Sequence, residues 1–263
     1  MTDTVECDLI RFEKRDDHIA IVTLNRPDKR NAINAAMAHA IDAIVKTTET
    51  DDEIWVTIIT SSGGPAFCAG ADLAEAAAGR GHELVTKDGG FAGFVDSKRA
   101  KPWIAAVRGA AIGGGLEISL ACDIRVCAEN TLFGLPEVKR GLLAGAGGAY
   151  RLARHVPRGI ALEMLATGDP ITAERAAHWG LANAVVPDEQ VLATAIAMAQ
   201  QICTNAPLSV RETLAIGRAS IECTEDELRT MTDTAVARLM ETRDFHEGPR
   251  AFMEKRAPRW EAR

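Results

Sequence analysis

Apolar positions recur along the chain with two periods, and their alternation outlines the elements. His18 to Asn25 (HIAIVTLN) alternates and is rich in β-branched residues, which predicts a strand. After the turn-like RPDKRNA, Ile33, Met37, Ile41, Ile44 and Val45 recur at helical spacing, with Asn31 or Asn34 as the N-cap. Ile54 to Thr60 predicts a second strand. It runs into the breaker SSGG, and FCAGADLAEAAA then predicts a tight loop opening a helix. The third unit is the most apolar: Trp103 to Ile112 as one strand, Gly113-Gly114-Gly115, and then LEISLAC. A short strand from Asp123 to Ala128 follows. This recurrence of strand, glycine loop and helix predicts an α/β core, layered or spiral, with reacting groups on the loops at one end. Lys87 to Phe94 (KDGGFAGF) reads as a mobile loop carrying two exposed Phe.

The second half is mostly helical. Thr172 to Trp179 predicts a short helix with a Thr cap and Gly180 as its stop, LANAVV a last short strand, and Asp188 onward mainly helix. Thr224-Glu225-Asp226-Glu227 has the capping-box pattern. No linker rich in Pro, Gly or Ser separates the halves, so the expected organisation is a core over residues 1–200 and a helical region over 201–263. Gln190 to Val210 carries no charge and is long enough to span a bilayer. Gln200, Gln201, Thr204, Asn205 and Pro207 interrupt it, which predicts an amphipathic helix ended by an Asn-Ala-Pro break.

Charge narrows the function. Against 30 Lys and Arg stand 37 Asp and Glu, a formal net charge of −7. No basic footprint for a nucleic acid results. The 6 cysteines form no CxxC pair and no zinc spacing, and they read as reduced thiols. The acidic N-terminus MTDTVECDLI lacks the basic and apolar regions of a secretory leader, so a cytoplasmic protein without a membrane span is expected. P-loop, GxSxG, HExxH, SxxK and GxGxxG patterns are absent, and the 6 His are scattered without ligand spacing, so no metal is expected.

Two glutamates stand out by their surroundings. Glu117 lies in AAIGGGLEISLAC, among apolar and small neighbours, and Glu137 in TLFGLPEVKRG, after a Leu-Pro turn. An apolar setting disfavours the ionised carboxyl and moves its pKa toward the range useful for proton transfer near neutrality. Read alone, either could equally be a surface glutamate on the polar side of its element. The loops at Gly113-Gly114-Gly115 and Ala69-Gly70-Ala71 open helices after buried strands, which leaves backbone N–H groups in the loop mouths. Two converging donors would make an oxyanion hole; tight helix–strand packing is the other use of such glycines.

Together FCAGADL, IAAVRGAAIGGGLEISLACD, FGLPEVKRGLLAGAGGAYRL and EGPRAFMEKR resemble the crotonase (enoyl-CoA hydratase/isomerase) superfamily, in order and over nearly the whole chain. The resemblance implies a spiral of ββα repeats with a helical C-terminal trimerisation region, assembled as a homotrimer or a dimer of trimers. It implies an oxyanion hole from the N–H groups of Ala71 and Gly114, acid/base roles for Glu117 and Glu137, and a water-holding backbone at Gly145. Arg26, Lys29, Ala69 and Asp72 match segments that line the CoA nucleotide, and Phe252 and Lys255 match positions reaching the adenine end, commonly of a neighbouring subunit. Coenzyme A would enter as part of the thioester substrate, with no separate cofactor.

The activity so implied is hydration of a 2-enoyl-CoA thioester in fatty-acid-type metabolism. An enoyl-CoA isomerase, a carnitinyl-CoA dehydratase-like enzyme and a non-catalytic CoA-ester-binding homologue are the alternatives. Tyr150 stands where a polar residue is expected after GAGG, and Lys139-Arg140 is unusually basic beside Glu137. The acyl pocket is expected from the 73–100 segment.

Overall fold

Strands buried on both faces organise the chain. A computed structural model describes residues 7–263; the N-terminal leader reading falls largely on residues 1–6, outside the described residues. The strands are β1 (Ile10–Lys14), β2 (Ile19–Leu24), β3 (Val56–Ser61), β4 (Ala66–Cys68), β5 (Val85–Thr86) and β6 (Gly90–Phe91). They continue as β7 (Trp103–Val107), β8 (Ala110–Ile112), β9 (Ile124–Ala128), β10 (Leu132–Gly134), β11 (Ile171–Thr172) and β12 (Ala184–Val186). The helices are α1 (Ala35–Thr50), α2 (Leu73–Ala77), α3 (Gly114–Leu120), α4 (Gly148–His155) and α5 (Arg158–Thr167). After them come α6 (Ala173–His178), α7 (Val191–Cys203), α8 (Pro207–Ala219), α9 (Glu225–Met240) and α10 (Arg243–Glu254).

A 6-stranded sheet runs β1-β2-β3-β7-β9-β12, and a 4-stranded sheet runs β11-β10-β8-β4. From β2 to β12 the large sheet is parallel, with β1 antiparallel at its edge. Each turn of the chain gives one strand to each sheet before a helix: β3-β4-α2, then β7-β8-α3, then β9-β10 and α4. The recurrence in the sequence is therefore a ββα spiral. Alternate residues of one strand face different cores. Ile59, Ala105 and Cys127 pack with α1 and the small sheet, while Ile58, Ile104 and Val126 pack with Val191, Ala195 and Ala199 of α7. The expected boundary at residue 200 thus falls inside a helix that covers the sheet.

Several local expectations hold. Asn34, not Asn31, caps α1 by accepting from Met37 N at 3.0 Å, Thr172 caps α6, and Thr224 and Glu227 form the capping box of α9. The uncharged stretch breaks into α7 and α8, the latter with Pro207 in its first turn, and no described helix is long and apolar enough to cross a membrane. The last helices bury little. In α8 to α10 only Pro207, Ala235, Asp244, Glu247 and Ala251 are buried, while Phe252 is 82% exposed.

Two expectations are corrected. Trp103 to Ile112 is not one strand: the chain turns at Gly109 (φ 69°), where a Cβ would lie 2.6 Å from Pro65 O, and passes from one sheet to the other. Lys87 to Phe94 is not an exposed loop either. It belongs to the β5–β6 hairpin, with Phe94 wholly buried against Trp103 and Phe91 9% exposed. Thr86 Oγ1 donates to Asp42 Oδ1 of α1 at 2.7 Å, and a Cβ on Gly93 would lie 2.2 Å from Ala38 O. Gly93 also sits at φ 64°. Gly93→Ala should therefore lower stability by at least about 1–2 kcal/mol, read as an earlier midpoint in urea; an unshifted midpoint would mean the hairpin is loosely held.

Candidate active site

The loops after β4 and β8 meet because both carry glycine. Gly70 has φ 92°, and a Cβ on it would lie 2.9 Å from Gly114 N and 3.1 Å from Ile112 O. A Cβ on Gly115 would lie 2.0 Å from Cys68 O, so the first turn of α3 packs directly on β4. Beside this contact lies a cavity of about 700 Å³, lined by Ala71, Gly114, Glu117, Glu137 and Gly145 among others.

Two backbone N–H groups open on it. Ile33 N donates to Gly70 O and Asp72 N donates to Ile33 O, at 2.8 and 2.9 Å. In that bridge Ala71 between them turns its own N–H away from Ile33, toward the cavity it lines. Gly114 is the first residue of α3, so its N–H has no intrahelical acceptor. Neither amide donates to another group among the described residues. Such a pair can hold an oxygen on which negative charge develops.

The two carboxyls face the same space. Glu117, in the first turn of α3, is 4% exposed, and its Oε1 accepts from Gly148 N at 2.8 Å. Burial pushes its pKa up to about 7, the Gly148 bond opposes this, and the neighbouring Glu137 adds to it. Glu137 stands on the 3-10 turn Pro136–Arg140 with Oε2 buried and without a partner. Burial raises its pKa as well, opposed by a backbone bond within its turn and by the Arg140 charge. A Cβ on Gly113 would come within 3.0 Å of Glu137 Oε1, so the glycine triplet also makes room for this carboxyl. Among the described residues no group of three or more His, Cys, Asp or Glu could hold a metal.

The family model for enoyl-CoA hydratase/isomerase matches residues 14–263. The chain belongs to that family. A mevalonyl-coenzyme A hydratase from Aspergillus fumigatus is 41% identical over 263 residues, spanning 98% of this chain and 96% of the relative. A carnitinyl-CoA dehydratase from Salmonella typhi is 40% identical over 254 residues, spanning 95% of this chain and 97% of the relative. Among solved structures, an enoyl-CoA hydratase from Mycobacterium tuberculosis superposes with a TM-score of 0.93 at 39% identity, covering 97% of this chain and 100% of that one. A carnitinyl-CoA hydratase from Mycobacterium avium gives 0.75 at 42% identity, covering 98% and 100%. The resemblance to the crotonase family and its fold is confirmed, as is the expectation of an enzyme of the hydro-lyase type.

The other positions implied by the family resemblance divide. Ala69 and Gly145 line the cavity, but the amide bonded to Glu117 belongs to Gly148, which sequence reasoning missed although it ends the GAGG run and begins α4. Arg26 and Asp72 do not line it. They pair with each other at 2.7 Å, and Arg26 also donates to Ala32 O, which ties their two loops together. Lys29 is exposed beside the cavity-lining Arg30. Phe252 and Lys255, at the end of α10, line no part of this cavity. Tyr150 is 48% exposed and outside it, and Lys139 pairs with Asp169. Phe91, from the segment expected to be mobile, and Asp96, two residues beyond it, are in the wall.

The raised pKa of Glu117 gives a sign to stability. Its ordinary value is 4.5, so between there and about 7 the folded chain keeps a proton that the unfolded chain has lost. Stability tied to this group is full below the lower value and is lost as pH rises through the upper one. Glu117→Gln should therefore be more stable than the parent at pH 8, by on the order of 3 kcal/mol, with the gap closing toward pH 4. Denaturation midpoints of both proteins across that range check it.

Proposed function

We propose that the protein adds water across the 2,3 double bond of a 2-enoyl-CoA thioester. The observation that carries this is the pair of burial-shifted carboxyls, Glu117 and Glu137, facing one cavity with the free amides of Ala71 and Gly114. Those amides would hydrogen-bond the thioester oxygen and stabilise enolate character as C2 and C3 change bonding, each worth roughly 3 kcal/mol. Glu117, oriented by Gly148, positions the water and takes a proton as oxygen attacks C3. Glu137 delivers a proton to C2. One carboxyl must be ionised and the other protonated, a condition that belongs to the coupled pair. The Gly145 backbone contributes to holding the water, and coenzyme A arrives within the substrate rather than as a separate cofactor.

Two carboxyls on the cavity favour hydration over isomerisation, which needs one. The polar wall residues Asp96 and Arg140 favour an acyl group with a polar substituent over a plain alkyl chain. We place the enzyme in the cytoplasm on its cysteines, which show no disulfide pattern. We further propose a homotrimer or dimer of trimers. Val236, Met240, Phe252 and Met253 are exposed on the terminal helices, and Phe252 and Lys255, remote from their own cavity, would reach a neighbour's nucleotide.

Glu117→Gln and Glu137→Gln should each lower kcat by on the order of 10²–10⁴, the double variant losing less than the product of the two effects. Loss of the conjugated thioester absorbance follows the reaction, and full activity in either variant would overturn the assignment. A bound conjugated acyl-CoA should show a lowered C=O stretch; an unshifted band would leave a CoA-binding protein without thioester activation. Sedimentation at micromolar concentration should show no monomer, and a monomer alone would contradict the assembly.

A further inference from the structure

The cavity wall carries charged side chains beyond the two catalytic candidates: Arg30, Arg140 and Asp96. Arg30 lies by the nucleotide-side segment, its carbonyl accepting from Ala69 N at 3.0 Å, and Arg140 shares the turn of Glu137. Asp96 stands apart from both, beyond the hairpin that supplies Val85 and Phe91 to the wall.

We propose that Asp96 selects the acyl group by accepting a hydrogen bond from a hydroxyl on the substrate's acyl chain; this rests on the acyl-CoA reading above. The Asp96 side chain lies at the cavity rim, 57% exposed, and its backbone and one oxygen are tethered there. Asp96 N donates to Gly89 O at 2.9 Å, and Gly90 has no side chain where a Cβ would lie 2.2 Å from Asp96 Oδ2. Arg151 Nη2 lies 3.3 Å from Oδ1, while the same guanidinium donates to Val95 O at 2.7 Å and to Ala146 O at 2.9 Å. Oδ1 is thereby oriented, whereas Oδ2 accepts no hydrogen bond among the described residues. Asp96 also borders a second, separate cavity of about 560 Å³, lined by Ser97, Arg99 and Cys122 among others.

The chemistry favours a neutral donor. A plain alkyl chain laid on this carboxylate would strip its water without replacing the hydrogen bond, which counts against unsubstituted substrates. A quaternary ammonium would approach beside the Arg151 guanidinium, and Phe91 is the one aromatic ring in the described wall, so no aromatic cage awaits it. A hydroxyl avoids both costs.

The test compares 2-hexenoyl-CoA with its analogues hydroxylated at the γ, δ or ε carbon and with a trimethylammonium analogue. At least one hydroxylated ester should exceed the plain ester in kcat/KM by about tenfold, the scale of one net hydrogen bond. Asp96→Ala should bring that ratio close to one, and Asp96→Asn, which keeps an acceptor, should restore part of it. Equal kcat/KM values in the parent, a loss shared equally by both esters in Asp96→Ala, or a preference for the cationic ester would each overturn the proposal. Dissociation constants of the saturated acyl-CoA analogues separate this outcome from the fate of the hydratase reading. A roughly tenfold affinity difference that disappears in Asp96→Ala, with no hydration of any ester, sinks the hydratase and keeps Asp96. Hydration without such discrimination does the reverse.

Discussion

The backbone at Gly70 lies against the backbone at Gly114, and the site depends on that contact. A side chain at Gly70 would strike Gly114 N and Ile112 O, and one at Gly114 would enter the Phe91 ring at 2.4 Å. The sheet creates the opportunity: β4 and β8 are parallel neighbours, so the loops that leave them emerge at the same edge. Without side chains the loops close until two amides share one cavity. The same closure presses Gly115 onto Cys68 O, which fixes the start of α3 and hence the place where Glu117 enters. Donors and carboxyl are set by one packing event.

That arrangement is costly to ionise. Glu117 has Gly148 N as a hydrogen-bond donor, and Glu137 has an oxygen buried without any partner. Burial raises both pKa values, and the Glu137 charge raises that of Glu117 further. Two neighbouring carboxyls whose burial disfavours charge resist ionising together, and the proposed addition of water would use one of them charged and the other neutral. The unmet oxygen of Glu137 has the same meaning: a buried acceptor left open in the protein is available to a water or a substrate proton.

The sequence shows the spiral because parallel strands buried on both faces read as long apolar runs ending in glycine. The same property hides detail. Trp103 to Ile112 looks continuous, since the passage between sheets is marked only by Arg108-Gly109. The edge strand Ile10–Lys14 is missed because only Ile10 of it is buried. The Val85–Phe91 hairpin is hidden by glycines that read as looseness but serve close packing, Gly89 against Gly93 and Gly93 against α1. Glu117 was visible from its apolar neighbours, and Gly148 was not, because a backbone donor has no residue type of its own. Arg26 and Asp72 are far apart in the chain and matched nucleotide-side segments separately; only the fold turns them toward each other.

Relatives of similar identity are named for mevalonyl-CoA, carnitinyl-CoA and enoyl-CoA, so the part of the site they can share is not what separates their substrates. In this chain two amides and two carboxyls on the cavity are fixed by glycine contacts that tolerate little change. Further wall comes from Val85, Phe91 and Asp96 and from Leu142, Leu143, Gly145 and Ala146. That wall is anchored too. Thr86 is bonded to Asp42, Gly93 rests on Ala38, and Arg151 joins Val95 to Ala146. Because the wall is held at both ends, exchanging one of its side chains alters the shape and polarity offered to an acyl group without moving the amides or the carboxyls. In the proposed reaction the amides and carboxyls would carry the chemistry, and the side chains of this wall the choice of acyl group.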